Sequence, residues 1–194
     1  MNINGQTRKP RIIVGISGAS GIQYGIKLLE LLSTLPIESH LIISKAAHQV
    51  RAAETSLSAK DLNALADHVH SYDDLACSIS SGSFLTLGMI VAPCSMKTLA
   101  EIATGLTSNS LSRAADVVLK ERRRLVLMAR ETPLTAQHIK NMLSVTEMGG
   151  IIAPPVPAFY NQPKTLDDIV YHSVARVLDL FDISLPQTKR WPLA

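Results

Sequence analysis

Residues 11–32 constrain this chain more than any other segment. RIIVGIS (11–17) is a short apolar, β-branched run that breaks at GASG (18–21), and apolar residues then recur at Ile22, Ile26, Leu29 and Leu32. That succession predicts a strand, a glycine-rich turn and a helix. In open α/β sheets ligands sit outside the carboxyl ends of the strands, and a helix N-terminus there attracts a phosphate. The turn reads Gly15-Ile-Ser-Gly18-Ala-Ser20-Gly21, with hydroxyl donors at Ser17 and Ser20. It is neither G-x-G-x-x-G nor G-x-x-x-x-G-K-[ST]. It is not a serine-hydrolase elbow either, because Ile22 and Ala19 stand where G-x-S-x-G needs glycines. A dinucleotide site would want an acidic residue near the end of the second strand, and Ser44-Lys45 stands there instead. A mononucleotide is favoured over NAD. The bland alternative is a tight turn with Ser20 as a helix N-cap.

The rest of the chain continues the alternation. A strand at SHLIIS (39–44) is followed by a helix to about Glu54 and a mixed helical stretch at 58–70. A buried strand at 88–92, helices at 96–104 and 110–123, and a strand at 124–130 come next. A helix at 135–147, a strand at 149–153, a Pro-rich loop at 154–163, a helix at 165–181 and a tail carrying Trp191 complete the pattern. Near-continuous apolar strands between helices predict an α/β fold with a parallel sheet covered on both faces. One domain over 1–194 is expected, with a polar extension at 1–10 and a tail at 182–194. Strand 88–92 runs into Pro93-Cys94-Ser95-Met96-Lys97-Thr98, where Ser95 is placed as an N-cap. Two hydroxyl-rich strand ends in one sheet suggest a shared ligand crevice.

Composition excludes several classes. The formal charge is +3 and aromatics are 4%, so stacking platforms for nucleic-acid bases are scarce. KERRR (120–124) straddles a helix end and a strand start, with Glu121 inside it, and makes a poor nucleic-acid face. Charged residues are only 18%, which fits a chain that hides surface in an oligomer. Two cysteines form no CxxC pair, and the six histidines show no metal spacing. The first ten residues lack a secretory apolar region, and no apolar run reaches the ~18 residues of a membrane span. A cytoplasmic, reduced setting is expected.

Seven motifs in order carry a resemblance: ISGASGIQYG (16–25), SKAA (44–47), SSGSF (80–84), APCSMKTLA (92–100), SRAADVVLKERR (112–123), RETPL (130–134) and PPVPAFYNQP (154–163). Together they resemble the UbiX-type flavin prenyltransferases, once described as aromatic-acid decarboxylases. The resemblance implies a Rossmann-like three-layer flavoprotein, assembled as a homododecamer of trimers. It implies that dimethylallyl monophosphate prenylates reduced FMN at N5 and C6 without a metal. The prenylated FMN would serve a UbiD-type decarboxylase, as in ubiquinone biosynthesis. Carried over by position, FMN contacts fall on Gly18, Ala19, Ser20, Ser44, Ser95, Met96, Lys97, Thr98, Arg113 and Arg130. Substrate contacts fall on Lys120, Arg130, Tyr160, Arg176 and Trp191, with Tyr160 and Arg176 donated by a neighbouring subunit and Lys120 and Arg130 nearby. Ser20, Glu54 and Glu131 are the catalytic candidates. A decarboxylase acting alone and a non-catalytic FMN carrier are the competing readings.

The chemistry suits these residue types. Phosphate dianion is a poor leaving group, so cations and a proton donor must stabilise it. Arginine offers a planar fork for phosphate oxygens, and Tyr160 adds a neutral donor. Ring closure needs a proton taken from flavin C6, work for a carboxylate such as Glu131. Glu54 closes a predicted helix, where a carboxylate opposes the dipole. Arg113 and Lys120 lie seven apart on one helix face, with Asp116 as a possible partner. Neither Asp73-Asp74 nor Asp167-Asp168 continues as the DDxxD that holds Mg²⁺ for diphosphates.

Overall fold

The computed structural model describes residues 9–191. Its strands are β1 (Arg11–Ile16), β2 (Glu38–Ile43), β3 (His68–His70), β4 (Gly88–Cys94), β5 (Arg124–Ala129) and β6 (Ile151–Ile152). They form one sheet in the order β3-β2-β1-β4-β5-β6, and every pairing is parallel. The helices are α1 (Ile22–Ser33), α2 (Lys45–Glu54), α3 (Ala59–Asn63), α4 (Met96–Ala103), α5 (Ser110–Lys120), α6 (Ala136–Glu147) and α7 (Leu166–Asp179). The chain winds outward from β1 to β3, then returns to place β4 on the other side of β1. That reversal opens a crevice at the carboxyl ends of β1 and β4.

The strand sequences explain the layers. Along β1, Ile12, Val14 and Ile16 join a core with α1 and α7, while Ile13 joins a second core with α4 and α5. Side chains alternate across a strand, so a strand covered on both faces is apolar at nearly every position. Ile22, Ile26, Leu29 and Leu32 of α1 are all buried. Each such side chain contributes about 1.5–3 kcal/mol when fully withdrawn from water. No helix among the described residues is long and apolar enough to cross a membrane.

The structure departs from the sequence pattern in four places. Residues 58–70 are not one helical stretch: they hold α3, closed by a Ser58–Asp61 capping box, and the edge strand β3. His-Val-His carries almost no apolar signal, and Val69 is exposed, so β3 does not read as a strand. β4 continues past 92 to Cys94 with a bulge between Val91 and Cys94. α5 stops at Lys120 because Arg122 turns left-handed (φ 56°). The tail is not simply extended: Ile183 and Leu185 pack on the α1–α7 core, and Arg190 pairs with Asp179 at 2.8 Å. Within the basic run 120–124, Arg123 donates to the carbonyls of Gly82 and Phe84, and the exposed Arg124 faces Asp182 at 3.5 Å.

Candidate active site

The crevice floor is stitched by Ser17. Its Oγ donates to the Pro93 carbonyl at 2.9 Å and accepts the Ser95 N–H at 2.7 Å. Ser17 is 1% exposed, so this hydroxyl joins the β1 and β4 turns and offers nothing to a ligand. Ser20, by contrast, is exposed. It is not the N-cap of α1. That position is Gly21, at φ 96°, a left-handed conformation that glycine adopts without strain. Gly18 serves a second need: a Cβ there would stand 2.4 Å from Ala46 Cβ, so the turn packs directly against α2.

Gly21 makes no side-chain cap, and Glu54 supplies one from another helix. Its Oε2 accepts the N–H groups of Gly21 at 2.9 Å and Ile22 at 3.1 Å. Glu54 does close α2, as the sequence predicts, but its carboxylate lies at the N-terminus of α1, where the dipole favours it. Burial pushes its pKa up. Hydrogen bonds from Ser20, Gly21 and Ile22 and the charge of Arg130 outweigh this and hold it below the usual carboxylate range. Ser20, Glu54 and Arg130 therefore share one polar cluster, with Glu54 ionised at neutral pH.

The neighbouring strand ends supply two more helix starts. Ser44 caps α2 by accepting the Ala47 N–H at 3.1 Å, and Ser95 caps α4 by accepting the Thr98 N–H at 3.3 Å. The first N–H groups of each helix have no intrahelical acceptor, so both are seats for an anion. Thr98 is buried beneath the second, while Lys97 reaches Glu101 at 3.6 Å. Ala19 is buried in the turn between them. Arg130 follows β5, its backbone N–H held by the Cys94 carbonyl at 3.0 Å. Glu131 beside it is exposed and does not pair with Arg130; its Oε1 accepts the Thr132 N–H at 3.0 Å. Tyr24, near enough to Arg130 to feel its charge, lies within ISGASGIQYG but was not singled out as a site residue.

A second group of site candidates gathers around the Pro-rich loop. Tyr160 Oη bonds His172 Nε2 at 2.9 Å, and the Trp191 ring meets Tyr160 edge-on at 5.3 Å. Burial and the nearby Arg176 charge push His172 down, which keeps its ring neutral. Arg176 pairs with Asp179 and forms part of the wall of a hollow of about 220 Å³ lined by Met128, Pro155, Val156 and Val177. Among the described residues no hydrogen bond or ion pair joins this group to Ser20 or Glu54.

Lys120 stands apart from Arg130. It precedes β5 and Arg130 follows it, so the six residues of β5, about 20 Å, separate them. Within one chain they are not neighbours. Lys120 pairs with Glu121 at 2.6 Å rather than with Asp116, which takes Arg113 at 2.8 Å. Cys94 is fully buried, and burial pushes its thiol far up, so it is neutral and no nucleophile.

Three of the groups read from the sequence as without metal spacing lie close together at the other end of the sheet. Glu38, His40 and His68 bring ligand-type atoms within 4.8 Å of one another. The signal was present as E-x-H and H-x-H, two residues apart on strands that turn out to be adjacent.

A parallel sheet with a polar crevice at its reversal point, free helix starts and an ionised carboxylate defines a mononucleotide-type binding protein. The chain belongs to the flavoprotein family, whose model matches residues 2–178, and within it to the UbiX flavin prenyltransferases. It is 58% identical over 181 residues to the flavin prenyltransferase UbiX of Neisseria meningitidis, covering 93% of this chain and 96% of that protein. It superposes on AnUbiX (PadA1), solved with FMN and dimethylallyl pyrophosphate, with a TM-score of 0.94 and 50% identity, covering 96% of this chain and 100% of that one. A dodecameric FMN-dependent UbiX-like decarboxylase from Escherichia coli O157:H7 gives a TM-score of 0.92 and 53% identity, covering 94% and 99%.

Proposed function

We propose that this chain is a flavin prenyltransferase. It joins a dimethylallyl group from dimethylallyl monophosphate to N5 and C6 of reduced FMN, and a UbiD-type decarboxylase uses the product. The observation that carries this reading is 58% identity to a flavin prenyltransferase across nearly the full length of both chains. The FMN and dimethylallyl pyrophosphate complex of AnUbiX, at 50% identity, supports the pairing of substrates. The absence of a membrane-crossing helix among the described residues suits a cytoplasmic enzyme.

The residues fit those substrates. The free starts of α2 and α4, with Ser44 and Ser95 through Thr98, suit the flavin phosphate, and Arg113 on α5 adds a cation. The exposed Ser20 hydroxyl and the Arg130 guanidinium suit the prenyl phosphate. Glu54, being ionised, is placed to accept a proton rather than give one. Glu131 is the second carboxylate at the same end of the sheet. Arg176 lines the hollow beside the Pro-rich loop, Trp191 packs on Tyr160, and Tyr160 and Arg176 are supplied to the site by a neighbouring copy. The separation of Lys120 from Arg130 supports the same view: one chain cannot place both on a single phosphate. The dodecamer reported for the Escherichia coli relative is an assembly of the kind this requires.

The test is anaerobic incubation of the protein with reduced FMN and dimethylallyl monophosphate, then mass spectrometry of the flavin. A gain of one C5 prenyl unit is expected. An unchanged flavin would leave an FMN carrier, and turnover of an aromatic acid by this protein alone would favour a decarboxylase.

A further inference from the structure

We propose that Glu38, His40 and His68 form a Zn²⁺ site at the amino-terminal end of the sheet, remote from the crevice. Register creates it. β2 and β3 pair in parallel with His40 opposite His68 and Ile42 opposite His70. A strand repeats every two residues, so Glu38, His40, His68 and His70 project from one face.

The geometry suits a small cation. His40 Nε2 lies 2.8 Å from Glu38 Oε1, and His68 Nε2 lies 3.7 Å from the same oxygen. Tetrahedral zinc with bonds near 2.0–2.1 Å separates its ligands by about 3.3 Å, between those two values. The supporting contact is in place as well. His40 Nδ1 is 2.9 Å from His70 Nε2, so His40 can donate its second ring proton there and present a bare Nε2 to the metal. The rings are stacked, with centroids 4.7 Å apart for His40 and His68, and 5.2 Å for His40 and His70. Phe84 closes the other side edge-on at 4.9 Å.

Arg11 Nε holds Glu38 Oε1 at 2.7 Å and fixes the carboxylate's direction. Two imidazoles and one carboxylate with an open fourth position are a zinc set. Glu38 begins β2, while Ser44 follows its last residue, so the metal would sit about 16–20 Å from the crevice. Its role is a staple for the three-residue edge strand β3, not a part in prenyl transfer.

The test uses tag-free full-length protein, stripped with chelator and titrated with Zn²⁺ against a chromogenic zinc indicator. One Zn²⁺ per chain is expected. Replacing the half-exposed ligand, His68→Ala, should weaken binding about tenfold or more, and His70→Ala by about 10–100-fold through the lost hydrogen bond. Zn²⁺ should raise the Tm of the parent protein and leave that of His68→Ala unmoved. Equal Zn²⁺ affinity in the parent and His68→Ala, or no per-chain binding at all, would overturn the site.

Discussion

Glu54 Oε2 accepts the backbone N–H of Gly21 at 2.9 Å, so the last residue of α2 caps the first turn of α1. One carboxylate thereby fixes the angle between two helices that both begin at the crevice. A carboxylate in this position is worth about 0.3–1 kcal/mol, and up to ~2 when partly buried. It also fills the anion seat of α1, leaving those of α2 and α4 for phosphate.

Ser17→Ala should destabilise the fold. The Ser95 N–H would lose its acceptor, at a cost of about 1–3 kcal/mol. In a chain of this size each kcal/mol moves Tm by about 2–4 °C. Thermal unfolding followed by circular dichroism checks it; an unchanged Tm would show that the stitch contributes nothing.

Glu131→Gln should keep flavin binding and lose most product formation. Its carboxylate is bonded only to the adjacent Thr132 N–H, so little structure depends on it. General acid–base assistance is worth about 10²–10⁴ in rate. Single-turnover measurement decides, and an unimpaired rate removes Glu131 from the mechanism.

Ser20→Ala and Arg176→Ala should each inactivate, and mixing them with subunit exchange should restore part of the activity. Among the described residues no hydrogen bond or ion pair joins the two within a chain. A mixed assembly can pair an intact Ser20 from one copy with an intact Arg176 from another. No recovery despite proven exchange would place both in one copy's site.

Turnover should persist in excess EDTA. The one group of three metal-ligating side chains found among the described residues, Glu38, His40 and His68, lies at the wrong end of the sheet to touch substrate. Asp167 faces Lys27 at 2.9 Å, Asp168 caps α7 and Asp73 faces Lys45 at 2.8 Å, so the acidic pairs are engaged elsewhere. Activity abolished by EDTA and restored by Mg²⁺ would refute the account of phosphate departure by side-chain cations.

Stability should fall as pH drops below about 6.5. Burial first, then the charges of His68 and Arg11, lower His40 against the pull of Glu38; burial first, then His40 and His68, lower His70 against the pull of Asp74. The unfolded chain then binds more protons than the folded one. The contribution is fully present above the unfolded histidine pKa and is lost as acid protonates the pair. Tm measured between pH 7.5 and 5.5 should decline, and decline less in His70→Asn. Equal slopes would assign the acid sensitivity to other groups.

The sheet was legible because its inner strands are buried on both faces, and a run such as GMIVA has few other uses. β3 was not, because an edge strand of three residues needs no apolar pattern of its own. Ser95 could be read as a cap from its place before a helix. Ser20 misled for a related reason: a serine one residue before Gly21 looks like a cap, but Gly21 holds that position and Glu54, thirty-odd residues away, takes the N–H groups a cap would take. The separation of Lys120 from Arg130 was hidden in the motifs, which state order along the chain and not which end of a strand each residue occupies. His172, the partner of Tyr160, had no local signal at all, since their pairing depends on how the Pro-rich loop folds back on α7.

Reduced flavin left in air gives hydrogen peroxide, and a thiolate beside it would be oxidised within the lifetime of the enzyme. Cys94 ends the strand that opens onto the crevice, yet it is fully covered and its burial keeps the sulfur protonated. Peroxide attacks thiolates that it can reach. That strand end is thus chemically silent, and oxidative wear falls on the partly exposed Cys77, which would also be the first thiol to take up an alkylating label.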